Sequence, residues 1–143
     1  VSVEPDSRVW DALEKNKKFN NCKFNIVKGF IGNKKMDLTN LNDHYGGYAS
    51  TFIYNENTDI PSYRLDEIME QYKLKFNVLV ADCEGFLEVF FDENPDFYKG
   101  LRLIIFEADY PEKCNYDKIR ELLNKYNFKD ILTGHQNIYI KSL

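Results

Sequence analysis

The chain has 143 residues, 43% of them hydrophobic and 29% charged, a composition that predicts one folded domain and argues against disorder. A net charge of -4 with scattered basic residues argues against a nucleic-acid partner. No apolar run approaches the ~20 residues of a membrane span, and the early Glu4, Pro5 and Asp6 lead us to expect no signal peptide here.

The three cysteines share no metal-binding spacing and are odd in number. We therefore expect free thiols and a cytoplasmic location, with a secreted protein that has one disulfide and a spare thiol as the alternative. Cys83 lies between two acidic residues, which predicts little thiolate character.

The first elements alternate between strand and helix. "VSVE" predicts a short strand, and Asp6 or Ser7 is expected to cap a helix that ends near Asn20. "CKFNIVKGFIG" has the alternation of a half-buried strand. Residues 37–57 are rich in turn residues, with "STFIYN" as a short strand, and the loop containing His44 and Tyr45 is a candidate lid.

The second half repeats this alternation with stronger signals. Ser62 is expected to cap a helix whose face carries Leu65, Ile68, Met69 and Tyr72. Residues 77–81 are almost continuously apolar, which predicts a central parallel strand buried on both faces. A helix from about residue 86 to 95, the strand "LRLIIFEAD" and a helix capped by Asn115 follow. Two strands joined around Gly134 predict a C-terminal antiparallel hairpin.

This order predicts an α/β fold with a mostly parallel sheet and one domain over residues 1–143. Three of the predicted strands end in acids: Glu4, then Asp82 and Glu84, then Glu107. Ligands bind at the carboxyl ends of parallel strands, so these acids predict a polar site. The alternative, open for Glu84, is that each acid caps the following helix. Glu4 has the position of an acid that binds ribose hydroxyls.

Four segments in order resemble the FkbM-type family of S-adenosylmethionine-dependent O-methyltransferases. They are "VEPDSRVWDALEKNKKFNN", "YRLDEIMEQYKLKFNVLVADCEGFLEVF" with its D-x-E-G signature, "LIIFEAD", and "GHQNIYIKS". The chain departs from the family pattern in having Val80 where a lysine is usual. It also begins at what would be the second strand, so an N-terminally incomplete domain is expected. Either the first strand and its glycine-rich loop lie upstream in the natural protein, or the cofactor site is incomplete and the domain is inactive alone.

The resemblance implies a Rossmann-like sheet with helices on both faces and S-adenosyl-L-methionine as the cofactor. It implies that Asp82 positions the acceptor or acts as base and also contacts the cofactor, and that Glu84 contacts cofactor or acceptor. Glu4, Gly29 and Phe30 would bind the cofactor, with Phe30 against the adenine. His44, Tyr45 and Glu107 would contact a sugar, polyol or other small-molecule acceptor, within a larger glycan-synthesis protein.

Two other functions are compatible with the same residues. Asp82, Glu84 and Glu107 could together hold Mg²⁺ or Mn²⁺ in an enzyme that acts on sugar nucleotides, because hard cations prefer grouped carboxylates. The chain could also be a non-catalytic module with a methyltransferase-like fold. The two histidines, in contrast, form no triad or zinc-binding spacing.

Overall fold

The computed structural model describes residues 1–39 and 50–142. The chain divides into two compact units, Val1–Glu67 and Ile68–Leu143, and each is considered by itself. The expectation of a single domain therefore stays a prediction. No helix in the described part of the chain is long and apolar enough to cross a membrane.

The first unit consists of short strands paired two by two, with one helix. Its elements are β1 (Ser2–Glu4), α1 (Trp10–Phe19), β2 (Ile26–Lys28), β3 (Phe30–Ile31), β4 (Met36–Leu38), β5 (Phe52–Tyr54) and β6 (Ser62–Tyr63). β1 pairs with β2 and β3 with β6, both in parallel, whereas β4 and β5 are antiparallel. The β1–α1–β2 segment is thus a small parallel strand–helix–strand unit.

The predicted cap of α1 is wrong. The helix begins at Trp10 with Val9 as its N-cap residue, and no side chain bonds to its first amides. The Asp6 carboxylate instead accepts hydrogen bonds from the backbone N–H of Arg8 at 2.9 Å and from its guanidinium at 2.6 Å. Asp6 therefore stabilises the turn between strand and helix, because a charged partner two residues away competes successfully with the helix amides.

Helix α2 (Leu65–Tyr72) follows β6, and its predicted apolar residues Leu65 and Ile68 are buried. Its predicted N-cap is also wrong, since Ser62 lies within β6 and its buried Oγ has no hydrogen-bond partner among the described residues. A carboxylate oxygen of Glu67 instead accepts a hydrogen bond from the backbone N–H of Arg64 at 2.9 Å.

The second unit is a four-stranded sheet with two α-helices and a short 3₁₀ helix. Its elements are β7 (Val78–Ala81), α3 (Leu87–Glu93), the 3₁₀ helix Phe97–Gly100, β8 (Leu103–Glu107), α4 (Tyr116–Lys125), β9 (Phe128–Leu132) and β10 (Gln136–Lys141). The strand order is β7-β8-β10-β9. β7 and β8 are parallel, and β10 is antiparallel to both β8 and β9.

The α/β class, the C-terminal hairpin and the Asn115 cap of α4 are confirmed. The Asn115 side chain accepts a hydrogen bond from the backbone N–H of Lys118 at 3.0 Å. The described residues show no clear Rossmann-like parallel sheet, since their sheets are small and β8 has only one parallel neighbour. The three-residue connection between β9 and β10 is too short for a parallel crossover, so β10 inserts antiparallel beside β8.

One face of the four-stranded sheet forms the core of this unit. The Phe106 ring stacks on Tyr116 of α4 and on Tyr139 of β10, with both pairs of ring centroids 6.0 Å apart. The Lys118 ammonium on α4 lies 2.8 Å from the Glu88 carboxylate on α3. This ion pair links the first turns of the two helices.

The opposite face of the sheet is apolar but partly open to solvent. Cross-strand partners share a face, so Val80, Ile105, Ile138 and Leu132 form one row across all four strands. Val80 is 69% exposed, and Leu132 is exposed as well. The prediction that β7 is buried on both faces is therefore wrong at Val80, although Ala81 on the other face is buried.

Because the two faces of the sheet differ in burial, equivalent substitutions on β8 and β7 should differ in their effect on the free energy of unfolding. Ile104 is 0% exposed, so Ile104→Ala should lower the free energy of unfolding by about 2–5 kcal/mol through lost burial and a cavity. Val80→Ala removes a mostly exposed side chain and should change it by less than about 0.5 kcal/mol. Urea unfolding of both variants measures the difference. Equal losses would show that the Val80 face is covered in solution.

Candidate functional site

Three carboxylates meet at the carboxyl ends of β7 and β8. One side-chain oxygen from each of Asp82, Glu84 and Asp109 lies within 4.8 Å of the other two. We call these three residues the acidic cluster. The parallel register, which pairs Ala81 with Phe106, brings the two strand ends side by side. The cluster thus forms where parallel strands most often bind ligands.

The turn after β7 has an unusual backbone conformation, which directs the Glu84 side chain toward Asp82 and Asp109. Glu84 has φ +49°, a left-handed conformation that is uncommon for a residue with a side chain, and Gly85 has φ +87°. A Cβ on Gly85 would lie 2.9 Å from the Cβ of Lys113 and 3.1 Å from that of Tyr110. Glycine is therefore required at position 85, by its conformation and by the close approach of the segment after β8.

The alternative that Glu84 caps the next helix is wrong. α3 begins at Leu87, its N-cap residue is Phe86, and no side chain bonds to the first amides of the helix. Glu84 therefore has no capping function that would account for a carboxylate beside Asp82. Helix capping therefore does not explain why Asp82 and Glu84 lie close together, and a functional site is the remaining interpretation.

Burial and mutual repulsion raise the pKa values of Glu84 and Asp82. The pKa of Glu84 rises from an ordinary 4.5 to about 7, first through burial, then through a hydrogen bond with Asp109 and the charges of Asp109 and Asp82. The pKa of Asp82 is also raised, first by partial burial of its carboxyl group and then by Glu107. Because neighbouring carboxylates cannot all ionise easily, the cluster binds or releases a proton near neutral pH.

Further polar residues lie at the same end of the sheet. The Tyr116 hydroxyl donates a hydrogen bond to Asp109 Oδ1 at 3.3 Å. Glu107 Oε1 lies 2.6 Å from His135 Nε2 and accepts a hydrogen bond from Gln136 Nε2 at 2.8 Å. The predicted residue Glu107 is thus held by the start of β10 and the turn before it, at the same end of the sheet as the acidic cluster.

Glu4 lies at the end of the parallel strand β1, as predicted, but its carboxylate has a local partner. Its Oε1 accepts a hydrogen bond from the backbone N–H of Asp6 at 2.8 Å. Its backbone carbonyl accepts one from the indole N–H of Trp10, also at 2.8 Å. Glu4 therefore stabilises the turn after β1, and its binding of ribose hydroxyls stays a prediction.

The other predicted cofactor residues in this part of the chain, Gly29 and Phe30, are both buried. Gly29 has φ +152°, and a Cβ there would lie 2.4 Å from the carbonyl oxygen of Pro61, so its conformation and the close backbone both require glycine, and its cofactor contact stays a prediction. Phe30 is only 7% exposed, which leaves little ring surface for an adenine. The predicted acceptor residues His44 and Tyr45 lie outside the described residues.

The sequence analysis missed Asp109, and Tyr116 with it. A usable signal was present, because "EAD" after β8 repeats the acid–x–acid spacing of "DCE" after β7. Glu107 was expected as the third carboxylate of a metal site, but the close cluster contains Asp109 instead. The antiparallel pairing of Glu107 with Gln136 explains this difference, since it holds the Glu107 side chain beside β10.

The three cysteines are free, with Cys22 exposed and Cys114 buried, as the sequence predicts. Burial raises the pKa of the Cys83 thiol to about 12, with the neighbouring acids as smaller causes. Cys83 is therefore a thiol at neutral pH, which confirms the expectation of little thiolate character.

Searches of protein-family models, curated proteins and solved structures find no match to this chain. The resemblance to FkbM-type methyltransferases accordingly rests on the quoted sequence segments alone. The geometry and charge of the acidic cluster are the strongest functional features in the described part of the chain.

The raised pKa of Glu84 predicts a pH-dependent loss of stability. The folded protein holds the Glu84 proton more tightly than the unfolded chain, so the stabilisation is complete below pH 4.5 and is lost as pH rises through about 7. Glu84→Gln keeps the neutral form at every pH. Urea unfolding between pH 4 and 8 should therefore show wild type losing stability relative to this variant across that window.

Glu121→Gln, at an exposed position on α4, is the matched control and should follow the wild-type pH curve. A constant difference between wild type and Glu84→Gln from pH 4 to 8 would contradict the raised pKa.

Proposed function

We propose that this protein is an S-adenosylmethionine-dependent O-methyltransferase that acts on a hydroxyl group of a sugar or polyol. The observation that carries the proposal is Glu84, a carboxylate with a pKa of about 7 at the carboxyl end of a parallel strand. A general base works best when its pKa lies near the operating pH, because it is then partly ionised and still a good proton acceptor.

Glu84 would act as the base, and Asp82 would position the acceptor. Loss of a proton from the acceptor hydroxyl to the Glu84 carboxylate leaves the hydroxyl oxygen free to form its new bond to carbon. Asp82, the more exposed of the two, can accept a hydrogen bond from a neighbouring hydroxyl and so orient the sugar. The Tyr116 hydroxyl holds Asp109 in place beside Glu84.

The residues of the cluster suit the proposed cofactor. S-adenosylmethionine, when bound, supplies an activated methyl group on a positively charged sulfonium. Grouped carboxylates attract a cation and are in turn held ionised by it, so Asp82 is the residue suited to face the sulfonium. The contacts of Glu4 with the ribose and of Phe30 with the adenine stay predictions of the sequence resemblance, and the buried ring of Phe30 gives the adenine contact the weakest support.

A Rossmann-like architecture is part of the same proposal. It is supported by two separate segments, β1–α1–β2 and β7–α3–β8, in each of which a helix connects two parallel, paired strands. Such strand–helix–strand units are the building blocks of nucleotide-binding sheets. Membership of a larger, cytoplasmic glycan-synthesis protein likewise belongs to the proposal.

Substitution of the base tests the proposal directly. Methyl transfer from labelled S-adenosylmethionine to a panel of glycosides and polyols should fall about 10²–10⁴-fold in Glu84→Gln, because proton removal is lost. The affinity for S-adenosylhomocysteine, measured by calorimetry, should be nearly unchanged. The rising limb near pH 7 in the wild-type pH–rate profile should disappear. Full turnover in Glu84→Gln would refute its role, and Glu121→Gln controls for a general loss of surface charge.

A second candidate function is supported by the close spacing of the same carboxylates. Three oxygens within 4.8 Å of one another resemble the oxygen donors that Mg²⁺ and Mn²⁺ prefer, which would suit an enzyme acting on sugar nucleotides.

Metal titration separates this candidate from methyl transfer. If the cluster holds a cation, Mn²⁺ should broaden the amide resonances around residues 82–84 and 109 in an NMR titration, and Asp109→Asn should weaken this binding at least about tenfold. The methyltransferase proposal predicts instead that S-adenosylhomocysteine binds equally well with Mg²⁺ and with EDTA. Asp96→Asn, at an exposed position away from the cluster, is the control.

A further inference from the structure

A cleft of about 530 Å³ opens next to the acidic cluster, within the unit formed by residues 68–143. Its walls are the segment after β8, the first turns of α4 and the connection between β9 and β10. The residues that matter for its chemistry are Ala108, Asn115, Tyr116, Asp117, Arg120 and His135. Its size lies within the range of small-molecule sites.

The cleft adjoins the cluster at two points. Ala108 lies in sequence between Glu107 and Asp109, so the end of β8 contributes to both the cleft and the cluster. Tyr116 lines the cleft, and its hydroxyl bonds to Asp109 Oδ1. A ligand in the cleft would therefore have one end close to the carboxylates.

Arg120 is fixed at the side of the cleft by three hydrogen bonds. Its Nε donates to Asn137 Oδ1 at 3.2 Å, and its Nη2 donates to the carbonyl oxygen of Gly134 at 3.3 Å. Its Nη1 donates to Asp117 Oδ1 at 2.7 Å. Asn137 is 0% exposed, and its amide group donates to the carbonyl oxygens of Gly134 and His135. The guanidinium is thus held in a defined orientation by a buried polar anchor.

The charged residues that line the cleft disfavour binding of an anionic ligand. Arg120 is paired with Asp117, and His135 Nε2 lies 2.6 Å from Glu107. Each cationic or potentially cationic group of the cleft wall therefore already faces a carboxylate, and the acidic cluster adds more negative charge nearby. A phosphate would meet repulsion without an unpaired cation to compensate it. A purely apolar ligand would cover the remaining donors and acceptors of these polar groups without giving them hydrogen-bond partners.

We propose that the cleft binds an uncharged saccharide or polyol, with Asp117 accepting hydrogen bonds from its hydroxyl groups and Arg120 donating to them. A carboxylate beside a guanidinium offers an acceptor and donors at fixed spacing, which matches two adjacent hydroxyl groups. Binding in the cleft goes beyond the proposed methyl transfer. The identification of this ligand as the methyl acceptor, delivered to Glu84, rests on the proposed function.

NMR titration of the ¹⁵N-labelled full chain tests binding without any cofactor. Methyl α-D-glucopyranoside and myo-inositol, added up to about 100 mM because uncharged sugars often bind at millimolar levels, should shift amides around residues 108–120 and 134–137. Tetrahydropyran, a ring without hydroxyl groups, and glucose 6-phosphate should give smaller shifts or none there. Tighter binding of the phosphate, or no shifts with any sugar or polyol, would overturn the proposal.

A pair of matched variants identifies the hydrogen-bonding residue. Asp117 is 85% exposed and pairs with Arg120 three residues later, and Asp96 is 81% exposed and pairs in the same way with Lys99. Asp117→Asn should weaken sugar binding about tenfold, whereas Asp96→Asn should not change it. Equal affinities in both variants would refute the role of Asp117. Both positions are exposed, so both variants should fold.

S-adenosylhomocysteine calorimetry keeps this test separate from that of the methyltransferase proposal. Sugar binding in the cleft without cofactor binding would support the proposed sugar site and refute the methyltransferase proposal. Cofactor binding without sugar binding would refute the proposed sugar site and leave the methyltransferase proposal standing.

Discussion

The parallel pairing of β7 with β8 is the constraint on which the site depends. Its register, from Val78 beside Leu103 to Ala81 beside Phe106, sets both strand ends at one edge of the sheet. Packing on one face maintains this register, because the Phe106 ring is stacked between Tyr116 and Tyr139 in the core of the unit. A shift of one residue would turn Phe106 out of that core and separate the carboxylates.

Bringing like charges together is unfavourable, and the protein holds them there by several contacts. The left-handed Glu84, followed by Gly85, directs one carboxylate toward Asp109, and the Tyr116 hydroxyl donates a hydrogen bond to Asp109. Burial first, and this repulsion second, raise the pKa values of Glu84 and Asp82. Arrangements that oppose stability in this way are typical of functional sites, where a group must change its protonation near neutral pH.

The C-terminal hairpin has a second function besides completing the sheet. Its turn and the start of β10 place His135 and Gln136 against Glu107, and the buried Asn137 orients Arg120. These contacts hold Glu107 beside β10, where, within the acidic cluster, it contacts Asp82 only, and form the side of the neighbouring cleft. The cluster and the cleft are therefore built from one sheet edge and its connections, within residues 68–143.

The sequence by itself determined the features that depend on near neighbours along the chain. These include most helices and strands, the Asn115 cap, the hairpin, and the acids that follow β7 and β8. Only the tertiary structure decided that Asp109 joins the cluster in place of Glu107, that Val80 is exposed, and that Asp6 binds Arg8 instead of capping α1. The physical reason is that burial and most side-chain partners depend on strand register and on packing between distant segments, whereas strand and helix periodicity is local. Even for Asp6, the sequence was compatible with two local hydrogen-bond partners, the first amides of α1 and Arg8, and did not indicate which one forms.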